Sequence, residues 1–545
     1  MDEISRRKFL EFMGRSSLGL GLLSLSPLAL QGCTSLGAIG GRQVTGLPFS
    51  PLLPMVKDDL VVASGFESRV LISWNEALAG GEHFGYNNDY IGVIPLADSK
   101  TDAYMWVNHE TADPQFVSGH QSYDKTTVKT RAQAELEMRA IGGSLLHVRL
   151  DEAGDWQVVK GSAIHKRYHA KTEIPFAGGV KVLGRPTAMG TLANCSGGVT
   201  PWKTFLTCEE NFHHFYGDVS FSASGARTLT PARASQGWTT FYDNPPEHYG
   251  WVVEIDPRTR AAHKLTSLGR FAHEGATCQL ARDGRAVVYM GDDSDNEFFY
   301  KFIARDKGSL VHGTLYVADL KKGQWLPLDL TQSPSLQKHF KSQLDVMIRV
   351  REAARLLGGT PLDRPEDCEV DPVTGAIILA CTNNKPAGRP FGSLLKIDEE
   401  NGDFLALKFR SEFWKMGGEQ TGFACPDNLC FDPAGNLWMT TDIADDALNK
   451  DEYAFHGNNA LFVIPMKGNL AGQAFRVASA PMEAEFTGPC FSPDGGTLFL
   501  SVQHPGANSK GPTKLTSNWP DGGNAVPKPS VVAIRGSALK ALTGA

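Results

Sequence analysis

The chain has 545 residues, a length that fits one large all-β domain or two to three ordinary ones and is ample to bury a large core. Its formal net charge is −7 with 21% charged residues, which excludes the basic face a nucleic-acid binder needs. The 57 glycines and 31 prolines recur along the whole chain, which excludes a single flexible linker as their source and points to many tight turns between short strands.

The first element is an address. Residues 4-ISRRKFLEFMGRSSLGLGLLSLSPLALQGC-33 place Ser5-Arg6-Arg7 and Phe9-Leu10 ahead of an apolar run and small residues, the order of a twin-arginine export signal. The apolar run is short and rich in Gly and Ser, a poor membrane anchor. Leu30-Gln31-Gly32-Cys33 has the order of a lipoprotein cleavage box, with Gln31 off pattern, so lipid anchoring through Cys33 and release are both open. The expected organisation is a leader over 1–33 and one domain over 34–545, periplasmic or extracellular and monomeric. Twin-arginine export carries folded proteins, often already metal-loaded, a first pointer to a cofactor.

Beyond the leader, strands dominate. The recurring unit is a strand, an Asp-Pro-x-x-Gly type of turn and a second strand, at 253-VEIDPRTRAAHKL, 279-QLARDGRAVVYM, 369-EVDPVTGAIILA, 430-CFDPAGNLWMTTD and 491-FSPDGGTLFLSV, with a weaker copy at 147-HVRLDEAGDWQVVKG. These are hairpins whose Asp, Pro and Gly set the turn. Repeated hairpins with one turn signature predict an all-β fold, a β-propeller of about six blades with irregular blades and long insertions. A large β-sandwich is the alternative. The one clear helical period is 341-KSQLDVMIRVREAARLLGG, with Gly358 as its stop. Of nine cysteines, Cys208, Cys278, Cys381, Cys430 and Cys490 read as buried small hydrophobes, whereas Gly and Ser surround Cys195.

In a propeller, chemistry gathers where the inner strands converge, so polar clusters recurring once per blade are the candidates. They are 106-WVNHE-110, 207-TCEEN-211, 272-AHEGAT-277, 291-GDDSDNEF-298, 364-RPEDCE-369, 426-PDN-428 and 441-TD-442. Carboxylates converging on a narrow channel repel one another, and multivalent cations keep them ionised. Oxygen ligands select hard ions such as calcium, magnesium or ferric iron. Only His109 and His273 fall inside the clusters, too few for zinc. Each cluster also has a plain reading. Glu209-Glu210-Asn211 fits a solvated turn, and His273 a satisfied histidine beside a turn. Asp293–Glu297 fits a wet strand edge as well as a calcium loop. Arg364 with Glu366 fits an ion pair, and Asp427-Asn428 a turn opening. The series of clusters is what favours a shared metal site.

Several motifs in one order resemble the PhoX-type alkaline phosphatases: the twin-arginine signal, Asn-Cys-Ser-Gly-Gly-Val-Thr-Pro-Trp with Thr-Cys-Glu-Glu-Asn, Gly-Arg-Phe-Ala-His-Glu-Gly, Gly-Asp-Asp-Ser-Asp-Asn-Glu, Arg-Pro-Glu-Asp, Pro-Asp-Asn-Leu and Gln-His-Pro-Gly at 503–506. The resemblance implies a six-bladed propeller holding two ferric and three calcium ions bridged by an oxo group. It implies hydrolysis of phosphate monoesters outside the cytoplasm. Carried over by residue, Cys195, Glu274 and Glu366 are iron-side ligands, Glu210 and Asp293 are calcium or bridging ligands, and Asp427 is a further ligand. Arg364 holds the phosphate. Glu110, Glu209 and Asp295 follow at lower rank, and Lys415 and His504 are candidates for a second cationic clamp. The implied mechanism is in-line attack by a metal-bridging oxygen, with no protein nucleophile. Two rivals stay open at this stage. Calcium propeller lactonases also carry Pro-Asp-Asn and Asp-Pro-x-Gly-Asn-Leu-Trp, as in 426-PDNLCFDPAGNLW-438, but give Cys195 no task. A non-catalytic, calcium-stabilised binding propeller is the other.

Overall fold

In the computed structural model, residues 43–121, 127–222 and 225–545 are described. The expected leader over 1–33 lies outside them. The unit that runs Gly40–Ala545 is built from six antiparallel sheets of four or five strands, arranged as the blades of a propeller. The innermost strands are Asn88–Pro95, Asn194–Val199, His273–Leu280, Pro365–Val370, Pro426–Phe431 and Glu485–Phe491. Each neighbours the next, and the last neighbours the first, so the ring is closed. Closure uses the start of the chain. Glu67–Ser73 forms the outer strand of the sixth blade against Ser530–Arg535, and Val61–Val62 the outer strand of the fifth.

The strands read as near-continuous apolar runs because both faces of a blade are covered. In Ala286–Asp292, Val288 and Met290 pack with Leu206 and Val252 of the second blade, while Val287 and Tyr289 pack with Ile377 and Leu379 of the fourth. The other inter-blade contacts are built alike, as between Trp438 and Phe486, or Ile94 and Phe205. Each such buried side chain contributes about 1.5–3 kcal/mol.

The predicted hairpins are all present. They do not all mark the same place in a blade: the turns after 280, 370, 431 and 491 leave innermost strands, whereas those at 256 and 150 lie between outer strands. The predicted helix at 341–359 is two helices, Gln343–Ile348 and Val350–Leu357. Arg349 leaves helical geometry between them, and Gly358 closes the second with φ 91°. Cys278, Cys430 and Cys490 are half-buried, not buried as expected, because innermost strands have no further strand on their axial side.

One feature repeats in all six blades. The register between the innermost strand and its neighbour shifts by a bulge, at 88–91, 194–197, 274–277, 365–368, 426–429 and 487–490. A bulge leaves its extra residues unpaired and re-aims their side chains. The re-aimed pairs begin with Asp89, Cys195, Gly275, Glu366, Asp427 and Gly488.

Candidate metal centre

The bulges bring side chains from separate blades to one place. Ligand atoms of Cys195, Glu210 and Glu274 lie within 4.8 Å of one another, as do those of Glu274, Glu366 and Asp427. Glu274 belongs to both groups and joins them. Cys195 reaches this point because its strand packs closely on the third blade: a Cβ at Gly198 would overlap the carbonyl oxygen of Ala276. Gly488, with φ 54°, is required for a similar reason, since a Cβ there would press on the backbone of Asp89 and Tyr90.

Around this pair of groups the remaining acids are held in order. Cys195 Sγ donates to Asp89 Oδ2 at 3.2 Å. Gln503 Nε2 donates to both Asp89 Oδ2 (3.2 Å) and Glu110 Oε2 (3.0 Å). Asn211 bridges Glu110 and Glu210. Glu366 Oε1 accepts from Thr382 Oγ1 at 2.7 Å and lies 2.9 Å from Arg364 Nη2. Arg364 forks onto Asp293 through Nε (2.8 Å) and Nη2 (2.7 Å) and lies 3.6 Å from Asp442. Its side chain is 26% exposed, so the residue is only partly shielded from solvent. His504 Nε2 lies 3.5 Å from Glu485.

The electrostatics are those of a cation site. Burial, and then neighbouring carboxylates, push Glu210, Glu274, Glu366, Asp427 and Glu485 well above the usual carboxylate range. Burial and then Glu110 raise Asp89 to about 8. Burial and then Asp89 push the Cys195 thiol up. Both carboxylate oxygens of Glu274 are buried without a hydrogen-bond partner, as is Oδ1 of Asp89. An unpaired buried carboxylate is costly, and a bound cation removes that cost. Oxygen donors with one sulfur fit hard cations plus a metal that accepts thiolate, so the donor set suits a mixed centre.

The structure thus brings together Cys195, Glu210, Glu274, Asp293, Glu366, Asp427, Glu110 and Arg364. It does not bring Glu209. That carboxylate accepts from Leu192 N (3.0 Å), Gly250 N (3.0 Å), Trp251 N (3.1 Å) and Lys264 Nζ (2.7 Å), and so has no capacity left for a metal. Asp295 is exposed and makes a backbone bridge to Asp363. His109 is used inside the first blade, between Tyr86 O and Ser144 Oγ. His273 bonds Gly269 O and stacks on Phe271. Lys415 lies on the outer strand Phe409–Met416, over the Trp414 ring, which excludes it as a second clamp. Sequence reasoning missed Asp89 and Glu485 and gave Asp442 no role. The signal for Asp442 was its place after an apolar strand in 441-TD-442.

The description "Alkaline phosphatase PhoX" belongs to the family model that matches residues 47–506. Among solved structures, this chain is similar to PhoX of Pseudomonas fluorescens in complex with vanadate, a transition state analogue, at 29% identity and a TM-score of 0.79, covering 90% of this chain and 98% of that one. A gluconolactonase of Xanthomonas campestris, XC5397, aligns over 90% of this chain and 98% of its own at 10% identity, but its TM-score of 0.33 carries no argument. No curated protein matches the chain. The chain belongs to the PhoX alkaline phosphatase family and is a metal-dependent phosphatase of small-molecule phosphate substrates.

Proposed function

We propose that this phosphatase hydrolyses phosphate monoesters outside the cytoplasm with two ferric and three calcium ions held at the mouth of the propeller channel. The observation that carries the reading is Glu274, which joins two potential ligand groups while neither of its buried oxygens has a protein partner. Cys195, Glu274 and Glu366 would hold iron, and Glu210, Asp293 and Asp427 calcium or both, with Asp89 and Glu110 beside them. When bound, such ions supply the positive charge that phosphoryl transfer needs and activate water at neutral pH.

The chain's own residues do the positioning. Arg364 binds non-bridging oxygens of the substrate. Its bonds to Asp293, Glu366 and Asp442 run through Nε and Nη2, which leaves Nη1 to face a phosphate. Asp293 fixes the plane of that guanidinium, and Thr382 fixes Glu366. Gln503 and Asn211 keep Asp89, Glu110 and Glu210 pointing inward. Phosphoryl transfer is mostly positioning and charge neutralisation, so no protein nucleophile is assigned. Arg6 and Arg7 direct export of a monomer out of the cytoplasm, to a periplasmic or extracellular location, and Cys33 is the site for a lipid anchor if the leader is cut before it.

Elemental analysis of the purified protein, beside a phosphomonoesterase assay with and without a calcium chelator, tests this reading. Iron and calcium that co-purify, and activity that falls with their removal, support it. Full turnover in protein free of iron overturns the iron assignment. Fractionation of cells carrying R6K and R7K together tests export, with phosphatase expected to stay inside.

A further inference from the structure

Two consecutive aspartates are each gripped by an arginine, and of those arginines Arg364 also contacts Glu366 of the centre. Asp293 takes the fork of Arg364. Asp292, fully buried, takes the fork of Arg351, through Nε (2.9 Å) and Nη2. Arg351 comes from the helix Val350–Leu357, inserted between the third and fourth blades. The same Nη2 donates to Ser294 Oγ at 3.1 Å, and Ser294 Oγ donates to the carbonyl oxygen of Asp293 at 2.6 Å. The helix therefore reaches the backbone of Asp293 by two routes, through the neighbouring carboxylate and through the serine hydroxyl.

A second set of bonds ties this loop to the segment that leads into Arg364. Asn296 N donates to Leu362 O (2.9 Å) and Leu362 N to Glu297 O (2.8 Å), while Asp295 bridges Asp363. Arg355, one turn along the helix, pairs with Glu297. Arg364 itself sits at φ 48°, a left-handed backbone that a non-glycine residue adopts only when its surroundings impose it. The helix, the 292–297 loop and residues 358–364 thus form one bonded unit that carries the Arg364 guanidinium to the centre.

We propose that Arg351 is a positioning residue for phosphate binding: it locks the Asp292–Ser294 turn so that Asp293 presents the Arg364 fork in one orientation. Arg351 does not touch substrate. The proposal rests on the reading of Arg364 as the phosphate-binding residue. Its prediction concerns binding of the phosphoryl group in ground state and transition state alike, so KM and vanadate affinity weaken together while kcat holds.

The test is a mutant cycle on the metal-loaded, full-length protein, reading the vanadate inhibition constant, KM and kcat for p-nitrophenyl phosphate, and bound iron and calcium. R351A is expected to weaken vanadate and raise KM about tenfold, the worth of a charged hydrogen bond, with kcat within about twofold and metal content unchanged. R351K keeps one bond to Asp292 and is expected to fall between the two. S294A removes the second route and is expected to weaken vanadate about threefold, a neutral hydrogen bond's worth, and it carries the test if R351A does not fold. In an R364A background, R351A and S294A are expected to cause no further loss. Full additivity there, or wild-type vanadate affinity in R351A or S294A, overturns the brace. Wild-type vanadate affinity in R364A overturns instead the role given to Arg364, a result distinguishable from failure of the brace alone.

Discussion

Glu209 and Glu210 are neighbours in the chain and both are buried, yet they lie in opposite surroundings. Glu209 points into the second blade, where Lys264 and three backbone N–H groups satisfy it. Glu210 points instead toward Glu274 and Cys195 of the centre, and its own amide partner is Asn211. The contrast recurs across the molecule. Lys301 with Glu399 and Lys129 with Glu137 are closed pairs inside blades or insertions, whereas Glu274 at the axis has no protein partner at either oxygen. A carboxylate buried with a lysine is a structural element; carboxylates buried with one another need cations from outside.

That difference is sharpened most by substituting one acid from each class. Glu274→Gln is expected to lower phosphatase activity by about 10²–10³-fold, the scale of losing a main electrostatic contribution, with iron lost in parallel. The chelated E274Q protein is expected to melt above the chelated wild type, because a charge-repelled group has been neutralised. Glu209→Gln should do the reverse. It leaves Lys264 buried without its anion, at a cost of about 3–5 kcal/mol in urea unfolding, while iron per folded molecule stays as in the wild type. Iron loss in E209Q that exceeds the unfolded fraction would break the comparison.

The next effect is one of pH. In protein stripped of metal, Asp89 binds its proton up to about 8, against 3.8 when unfolded, and Glu210, Glu274, Glu366 and Asp427 are raised as well. A raised carboxyl means that the folded state holds more protons than the unfolded state between the two values. The stability these groups give the stripped protein is therefore full below about pH 4 and falls as pH rises toward 8. Cations hold these groups as anions, so the loaded protein should lose that trend. Melting curves at pH 5 and pH 8, with and without chelator, give the comparison; a stripped protein more stable at pH 8 would contradict it. The smallest effect is at Gln503, which orients Asp89 and Glu110 without being charged. Gln503→Leu is expected to weaken metal binding about tenfold, the usual cost of an orienting contact, read by competition with a chelator.

The blades were legible because the hairpin turn is chemical: Asp371, Asp432 and Ser492 each open a turn that accepts the returning strand. Glu366 and Asp427 were legible with them, since each lies five residues ahead of such an aspartate. Asp89 was not, because its hairpin runs through Leu96–Asp98 and lacks that turn. Glu485 was hidden differently: Gly488 stands where the first, fourth and fifth blades carry an acid, so the carboxylate comes from the start of the strand. The separation of Glu209 from Glu210 depends on Lys264, 55 residues further on, which no local pattern reports. Lys415 failed for the converse reason, since a lysine in an outer strand looks no different in sequence from one at the rim.

Anomalous diffraction at the iron edge, from crystals of the purified protein, tests the central claim most directly. Iron is expected in contact with both Cys195 Sγ and the carboxylate of Glu274, where the two ligand groups meet. Iron bound elsewhere, or a fully active crystal form with no anomalous peak between those residues, would contradict it.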